Sequence, residues 1–170
     1  FPGRIYVENA TAAITLALTA GVTPEEIRMA LPDFKGIVRR FDIHTRDGDV
    51  IYIDEYAHHP KEIEAVLSSV RAMWPDKKLT VAFQPHLYSR THDFYPGFAE
   101  SLNRADLVIL MEIYPAREEP VAGVDSGLIA GLLRVPFVRV TREELADTVG
   151  KEVKEGIFMT LGAGDIDRFI

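Results

Sequence analysis

Four short apolar runs decide what this chain can fold into. They are Val50–Ile53, Leu79–Phe83, Leu107–Met111 and Ile157–Leu161, and none alternates cleanly between apolar and polar residues. A strand with one wet face alternates, whereas one that is apolar throughout needs cover on both faces. The segments between the runs carry helical spacing. Pro60–Met73 places Ile63, Val66, Leu67, Val70 and Met73 on one stripe, and Asp93–Asn103 does the same with Phe94, Phe98 and Leu102. Further helices are expected over Ser126–Leu133, over Glu143–Lys154 after the capping pattern Thr141-Arg142-Glu143-Glu144, and from Asp165 onward. Phe137–Val140 adds a strand. Phe41–Thr45 and Val50–Asp54 flank Arg46-Asp47-Gly48-Asp49 and predict a hairpin. Strand–helix alternation of this kind predicts an α/β domain over residues 41–170, with an open, doubly wound, mostly parallel sheet and an N-terminal β-hairpin.

Residues 1–40 fit that domain poorly. Glu8–Ala20 reads as a helix stopped by Gly21. Thr23-Pro24-Glu25-Glu26 opens a second one, with Thr as N-cap, Pro at the first helical position and Glu at the third. This helical hairpin reads as the tail of a preceding domain, joined through a hinge near residues 35–42. The chain starts at Phe1, not Met, so a piece of something longer is expected.

Composition excludes several function classes. The 170 residues are 47% hydrophobic and 26% charged, as in an ordinary globular protein. A net charge of −7 argues against general binding to nucleic acid or anionic lipid. Without cysteine there is no disulfide framework, thiolate metal site or thiol nucleophile, which fits a reducing compartment. No apolar run approaches the ~20 residues that span a bilayer. Neither a GxxxxGK[ST] phosphate loop nor a GxSxG elbow is present.

Open α/β sheets bind ligands beyond the carboxyl ends of their strands. The chemically unusual residues gather there: Asp54–Pro60 after one strand, Gln84–His92 after the next, Glu112–Pro115 after a third. Four of the five histidines lie in the first two segments. Asp54, His58 and His59 match no zinc spacing, and His59 is also placed to cap the helix at Pro60. His86 with Arg90 suits a carboxylate or phosphate, although Arg90 could equally pair with Asp93 or Glu100. Arg39-Arg40 could meet a phosphate or simply face water. Gly162-Ala163-Gly164-Asp165 reads as an ordinary turn more readily than as a phosphate cradle. Asn9 is odd in an Ala/Leu/Thr-rich helix, as an N-cap or as a partner for a base.

Asp54-Glu55-Tyr56-Ala57-His58-His59-Pro60 and Phe83-Gln84-Pro85-His86-Leu87-Tyr88-Ser89-Arg90-Thr91 resemble the C-terminal domain of the bacterial Mur ligases. Glu8–Ala13, Phe34–Phe41, Glu118–Pro120 with Val124–Ser126, and Leu161–Ile166 extend the match over almost the whole chain. The resemblance implies a Rossmann-like domain that closes over ATP and brings in an amino acid. It implies that residues 1–40 end the central ATPase domain. The best-matching member joins L-alanine to UDP-N-acetylmuramate through an acyl phosphate in cytoplasmic peptidoglycan synthesis, using ATP and Mg²⁺. Carried over by position, Asn9, Arg40, Asp54 and His58 are expected at ATP, and Tyr56, His86 and Arg90 at L-alanine. Leu87 stands where relatives carry a second Arg, which leaves more weight on Arg90. No catalytic residue and no metal ligand is assigned within the chain. The sugar nucleotide, the phosphate-loop lysine and the magnesium carboxylates fall to missing domains, so the chain alone is expected to be inactive. Two alternatives stand beside this reading: the relative that attaches a recycled murein peptide to UDP-N-acetylmuramate, and a non-catalytic α/β nucleotide-binding module.

Overall fold

The computed structural model describes residues 4–45 and 48–170. Two helices come first, α1 (Arg4–Thr19) and α2 (Pro24–Ala30). Thr23 caps α2 in the box expected: its hydroxyl accepts from the Glu26 N–H, and Glu26 accepts from the Thr23 N–H at 2.8 Å. Asn9 lies inside α1 and is exposed, so it is not a cap.

Six strands follow: β1 (Asp42–Thr45), β2 (Val50–Glu55), β3 (Leu79–Phe83), β4 (Leu107–Met111), β5 (Phe137–Val140) and β6 (Gly156–Leu161). They form one sheet in the order β1-β2-β6-β3-β4-β5, parallel except for the β1–β2 hairpin at the edge. The turn expected over residues 46–49 lies partly outside the described residues. The strand order follows from burial. β3, β4 and β6 are buried at every position and occupy the middle, whereas β1 and most of β5 are not and take the edges.

Alternate residues of each strand serve opposite layers. Val81, Phe83, Val108, Leu110, Ile157 and Met159 pack with Ile63, Leu67 and Val70 of α3 (Pro60–Met73) and with Phe98 and Leu102 of α4 (Tyr88–Leu102). Ala82, Ile109, Met111 and Phe158 face Leu145 of α6 (Leu145–Glu152) and Ile166. The sheet is therefore covered on both sides, as its apolar strands demanded.

Four helices depart from expectation, the first being α1, which begins at Arg4 rather than Glu8. The one expected at Asp93 starts at Tyr88, because Glu118, from the loop after β4, caps it from outside. The Ser89 N–H donates to Glu118 Oε2 at 2.9 Å and the Ser89 hydroxyl to Oε1 at 2.5 Å. A cap supplied 29 residues away leaves no local signal. The next, α5, shrinks to Gly127–Ala130. The final helix is one 3₁₀ turn, Ile166–Arg168.

Candidate functional site

Four chain segments converge at the carboxyl edge of the sheet: the hinge before β1 and the turns after β2, β3 and β6. The segment after β4 closes over them through Tyr114, which pairs with His86 in an isolated bridge. Aromatic and imidazole rings run along this rim. The Tyr56 and His58 centroids are 5.3 Å apart, those of His58 and His86 6.3 Å, and those of His86 and Tyr114 5.6 Å. Arg39 and Arg40 flank the Tyr56 ring, with guanidinium carbons 5.3 and 5.1 Å from its centroid.

The two adjacent histidines have separate tasks. His59 caps α3: its Nδ1 accepts from the Lys61 N–H, and its ring lies on Phe94. His58 joins the ring row instead. Its Nδ1 lies 3.0 Å from the Tyr56 carbonyl, which can only accept, so Nδ1 carries a proton. Among the described residues no three His, Cys, Asp or Glu side chains come together as a metal cage.

The two carboxylates ending β2 are both 1% exposed. Asp54 accepts from Arg39 Nε at 3.0 Å and from the Thr160 hydroxyl at 2.5 Å, so both oxygens are engaged. Glu55 accepts from the Phe41 N–H, the Ala57 N–H and the Tyr6 hydroxyl of α1. Burial pushes the Glu55 carboxyl above its usual 4.5 despite those bonds. Tyr6 rises well above 10 for the same reason, reinforced by Glu55. Arg40 lies 3.7 Å from Glu55 with its side chain 40% exposed.

Three buried polar atoms among the described residues have no partner: Gln84 Oε1, His86 Nδ1 and Arg90 Nη1. All three belong to the segment that follows β3. Buried polar groups are nearly always satisfied, so three orphans on one rim mark a place where a polar ligand belongs. Arg90 forms no ion pair with Asp93 or Glu100 among the described residues. Its charge lowers the pKa of His86, after burial and ahead of His58, while Glu118 acts the other way. His86 is thus mainly neutral at pH 7. The other amide atom of Gln84 is tied: Nε2 donates to Asp165 at 3.0 Å, and Arg142 holds the second oxygen of Asp165 at 2.6 Å.

Of the residues singled out from sequence, Tyr56, His58, His86 and Arg90 come together here, with Arg40 at the hinge end. Asn9 lies exposed on α1, and Asp54 is enclosed. Arg39 was weighed only as a phosphate contact, and Glu55, Gln84 and Tyr114 lay in the rim segments without being singled out. Their signal was placement alone, at the hinge or at a strand's carboxyl end.

Residues 39–164 match the family described as Mur ligase, glutamate ligase domain. The chain belongs to the Mur ligase family. Its relatives include UDP-N-acetylmuramate–L-alanine ligases of Phocaeicola vulgatus and Porphyromonas gingivalis. They are 47% and 48% identical over 171 residues, each alignment covering 99% of this chain and 37% of the relative. The crystal structure of the UDP-N-acetylmuramate–alanine ligase of Thermotoga maritima superposes with a TM-score of 0.79 at 31% identity, over 99% of this chain and 36% of that one. This Mur ligase chain thus spans just over a third of the length of the proteins it matches. Among its described residues no helix is long and apolar enough to cross a membrane.

Proposed function

We propose that this chain is the C-terminal part of an ATP-dependent ligase that joins L-alanine to UDP-N-acetylmuramate in bacterial peptidoglycan synthesis. The observation that carries the reading is the trio of unpartnered buried atoms on Gln84, His86 and Arg90. A small zwitterion offers a carboxylate to a guanidinium and an ammonium to uncharged acceptors, and this edge carries both kinds of group. The whole-chain similarity to L-alanine ligases supports that choice of amino acid.

In this reading Arg90 takes the carboxylate of L-alanine, with His86 and Tyr56 beside it. Arg40 and His58 meet ATP from the hinge side, and Asn9 does so from α1. Asp54 reaches that side only indirectly, by fixing Arg39. Residues 1–40 belong to the central ATPase domain, which fits the exposed Val7, Leu16, Met29 and Phe34 they carry. ATP supplies the phosphate that activates the muramoyl carboxylate. The amine then attacks the acyl carbon, the carbon–nitrogen bond forms, phosphate leaves with the bonding pair and the nitrogen gives up a proton. The chain's own part is to hold the amine in line and keep water away.

The test is phosphate release by the longer protein that contains these residues. Release should require ATP, UDP-N-acetylmuramate and L-alanine together, and the 170 residues alone should show none. Faster release with a murein tripeptide in place of L-alanine would overturn the substrate assignment.

A further inference from the structure

Arg39 and Arg40 are neighbours with opposite fates. The side chain of Arg40 is 40% exposed and that of Arg39 only 16%. Arg39 directs its donors inward: Nε to Asp54 at 3.0 Å, Nη2 to the Gly162 carbonyl at 2.7 Å, and Nη1 to the Gly164 carbonyl at 2.8 Å and Asp167 at 3.1 Å. One guanidinium thus ties the hinge to the end of β2 and to the turn after β6. Its charge is not on offer to a phosphate.

The backbone shows the same commitment. Residues 37–40 form a turn closed by the Arg40 N–H on the Ile37 carbonyl at 3.0 Å. Arg39 sits third in that turn at φ 62°, where glycine is the unstrained choice, and Phe41 follows at φ 50°. Non-glycine residues persist there only when their surroundings hold them. Here the side-chain network does so, and the left-handed turn aims Arg39 in and Arg40 out. The Arg39 carbonyl also accepts the Tyr56 N–H at 2.7 Å, while its guanidinium covers one side of the Tyr56 ring.

We propose that Arg39 is a positioning residue that holds Arg40 and Tyr56 in one geometry and so couples the nucleotide side of the site to the amino-acid side. This rests on the reading of Arg40 and Tyr56 given above. Asp54 is its anchor: a buried carboxylate whose task is to orient the arginine, itself out of contact with substrate.

The experiment uses the full-length ligase with each substrate varied in turn. Arg39→Lys keeps the charge but cannot reach four acceptors at once. It should raise KM for ATP and for L-alanine together by about three- to tenfold, with KM for UDP-N-acetylmuramate moving less than about twofold. Arg39→Gly combined with Asp54→Asn eases the turn and leaves no unpaired buried charge, and it should show the same split more strongly. Arg40→Met is the control. If it raises KM for ATP while both Arg39 variants leave KM for ATP and L-alanine unchanged, the coupling role is wrong. If Arg40→Met has no effect on ATP use, the hinge reading itself fails and the proposal goes with it. Equal changes for all three substrates, or a fall in melting temperature alone, would reduce Arg39 to a structural tie and overturn the proposal.

Discussion

The imidazole of His86 lies against the ring of Tyr114 with only 17° between their planes. The parallel bridge between the two residues pins this stack, together with the Leu87 N–H bonded to the Tyr114 carbonyl at 2.9 Å. The loop after β4 therefore fixes a ring at the end of β3, and Glu118 of the same loop caps α4 just before Arg90. Two strand ends act as one unit in shaping the site.

His86 should titrate below 6.5 for the physical reasons already given: burial first, then Arg90, then His58. NMR titration of its ring protons should place the midpoint there, and Arg90→Met should move it back upward. The linkage sign is definite. A folded-state pKa below the unfolded one means that the unfolded chain binds more protons on acidification. The contribution of His86 to stability is present above 6.5 and declines as pH falls through its depressed value. A midpoint at or above 6.5 would remove Arg90 from its surroundings.

Tyr6 joins α1 to the rest of the fold through its hydroxyl on Glu55 and its ring edge-on to Phe41, centroids 5.8 Å apart. Tyr6→Phe keeps the ring and deletes the hydroxyl, leaving Glu55 one partner short. The expected cost is roughly 1–3 kcal/mol, read from urea unfolding. Because Glu55 already has a raised pKa, the variant should lose most at pH values well above 4.5, where the carboxylate is charged. Equal losses at pH 5 and pH 8 would mean that the hydroxyl does not serve the carboxylate.

The architecture was legible because its cause is local. The runs at Leu79–Phe83, Leu107–Met111 and Phe137–Val140 and the helix at Pro60–Met73 have the expected bounds. For Leu79–Phe83 and Leu107–Met111 the apolar pattern is the burial pattern itself, whereas Phe137 and Val138 stay exposed at the sheet edge. What escaped notice depended on distant partners. Nothing near Tyr88 announces a helix start whose cap is Glu118. Nothing in Arg39-Arg40 says which one turns inward, because Asp54, Gly162 and Gly164 decide that through the fold. Asp54 looked available for a ligand since its partners, Arg39 and Thr160, come from the hinge and from β6.

Gly164 is required by close approach. A Cβ there would overlap the Gln84 amide and come within 2.9 Å of the Tyr114 ring. Gly164→Ala should push both aside, loosening the Gln84–Asp165 bond and the stack on His86. Overpacking of this kind typically costs about 1–3 kcal/mol. Thermal unfolding should show that loss. In the full-length ligase KM for L-alanine should rise more than KM for ATP, since the proposed reading puts the displaced groups on the amino-acid side. An unaltered L-alanine dependence in a destabilised variant would detach Gln84 and Tyr114 from the site.

Arg90 carries the sharpest expectation. It occupies the first turn of α4 with Nη1 buried and unpartnered, a costly state for a charged group unless a ligand completes it. L-Alanine has a methyl, an amine that must stay free to attack, and a carboxylate. Most directional binding energy must therefore come from the carboxylate, and a planar guanidinium matches it with two donors. Leu87 precedes this helix at φ 72° and brings no second guanidinium. Arg90→Lys keeps the charge and loses the fork, and Arg90→Ala loses both. Charge-assisted bonds of about 1.5–3 kcal/mol put the alanine variant at roughly ten- to a hundredfold in kcat/KM for L-alanine, with lysine between it and the parent. The parameters for ATP and UDP-N-acetylmuramate should move much less. Leu87→Arg in the Arg90→Ala background should recover part of the loss, because it returns a guanidinium to the same rim. A variant series in which all three substrates suffer alike, or in which lysine replaces arginine without effect, would show that Arg90 does not hold the carboxylate.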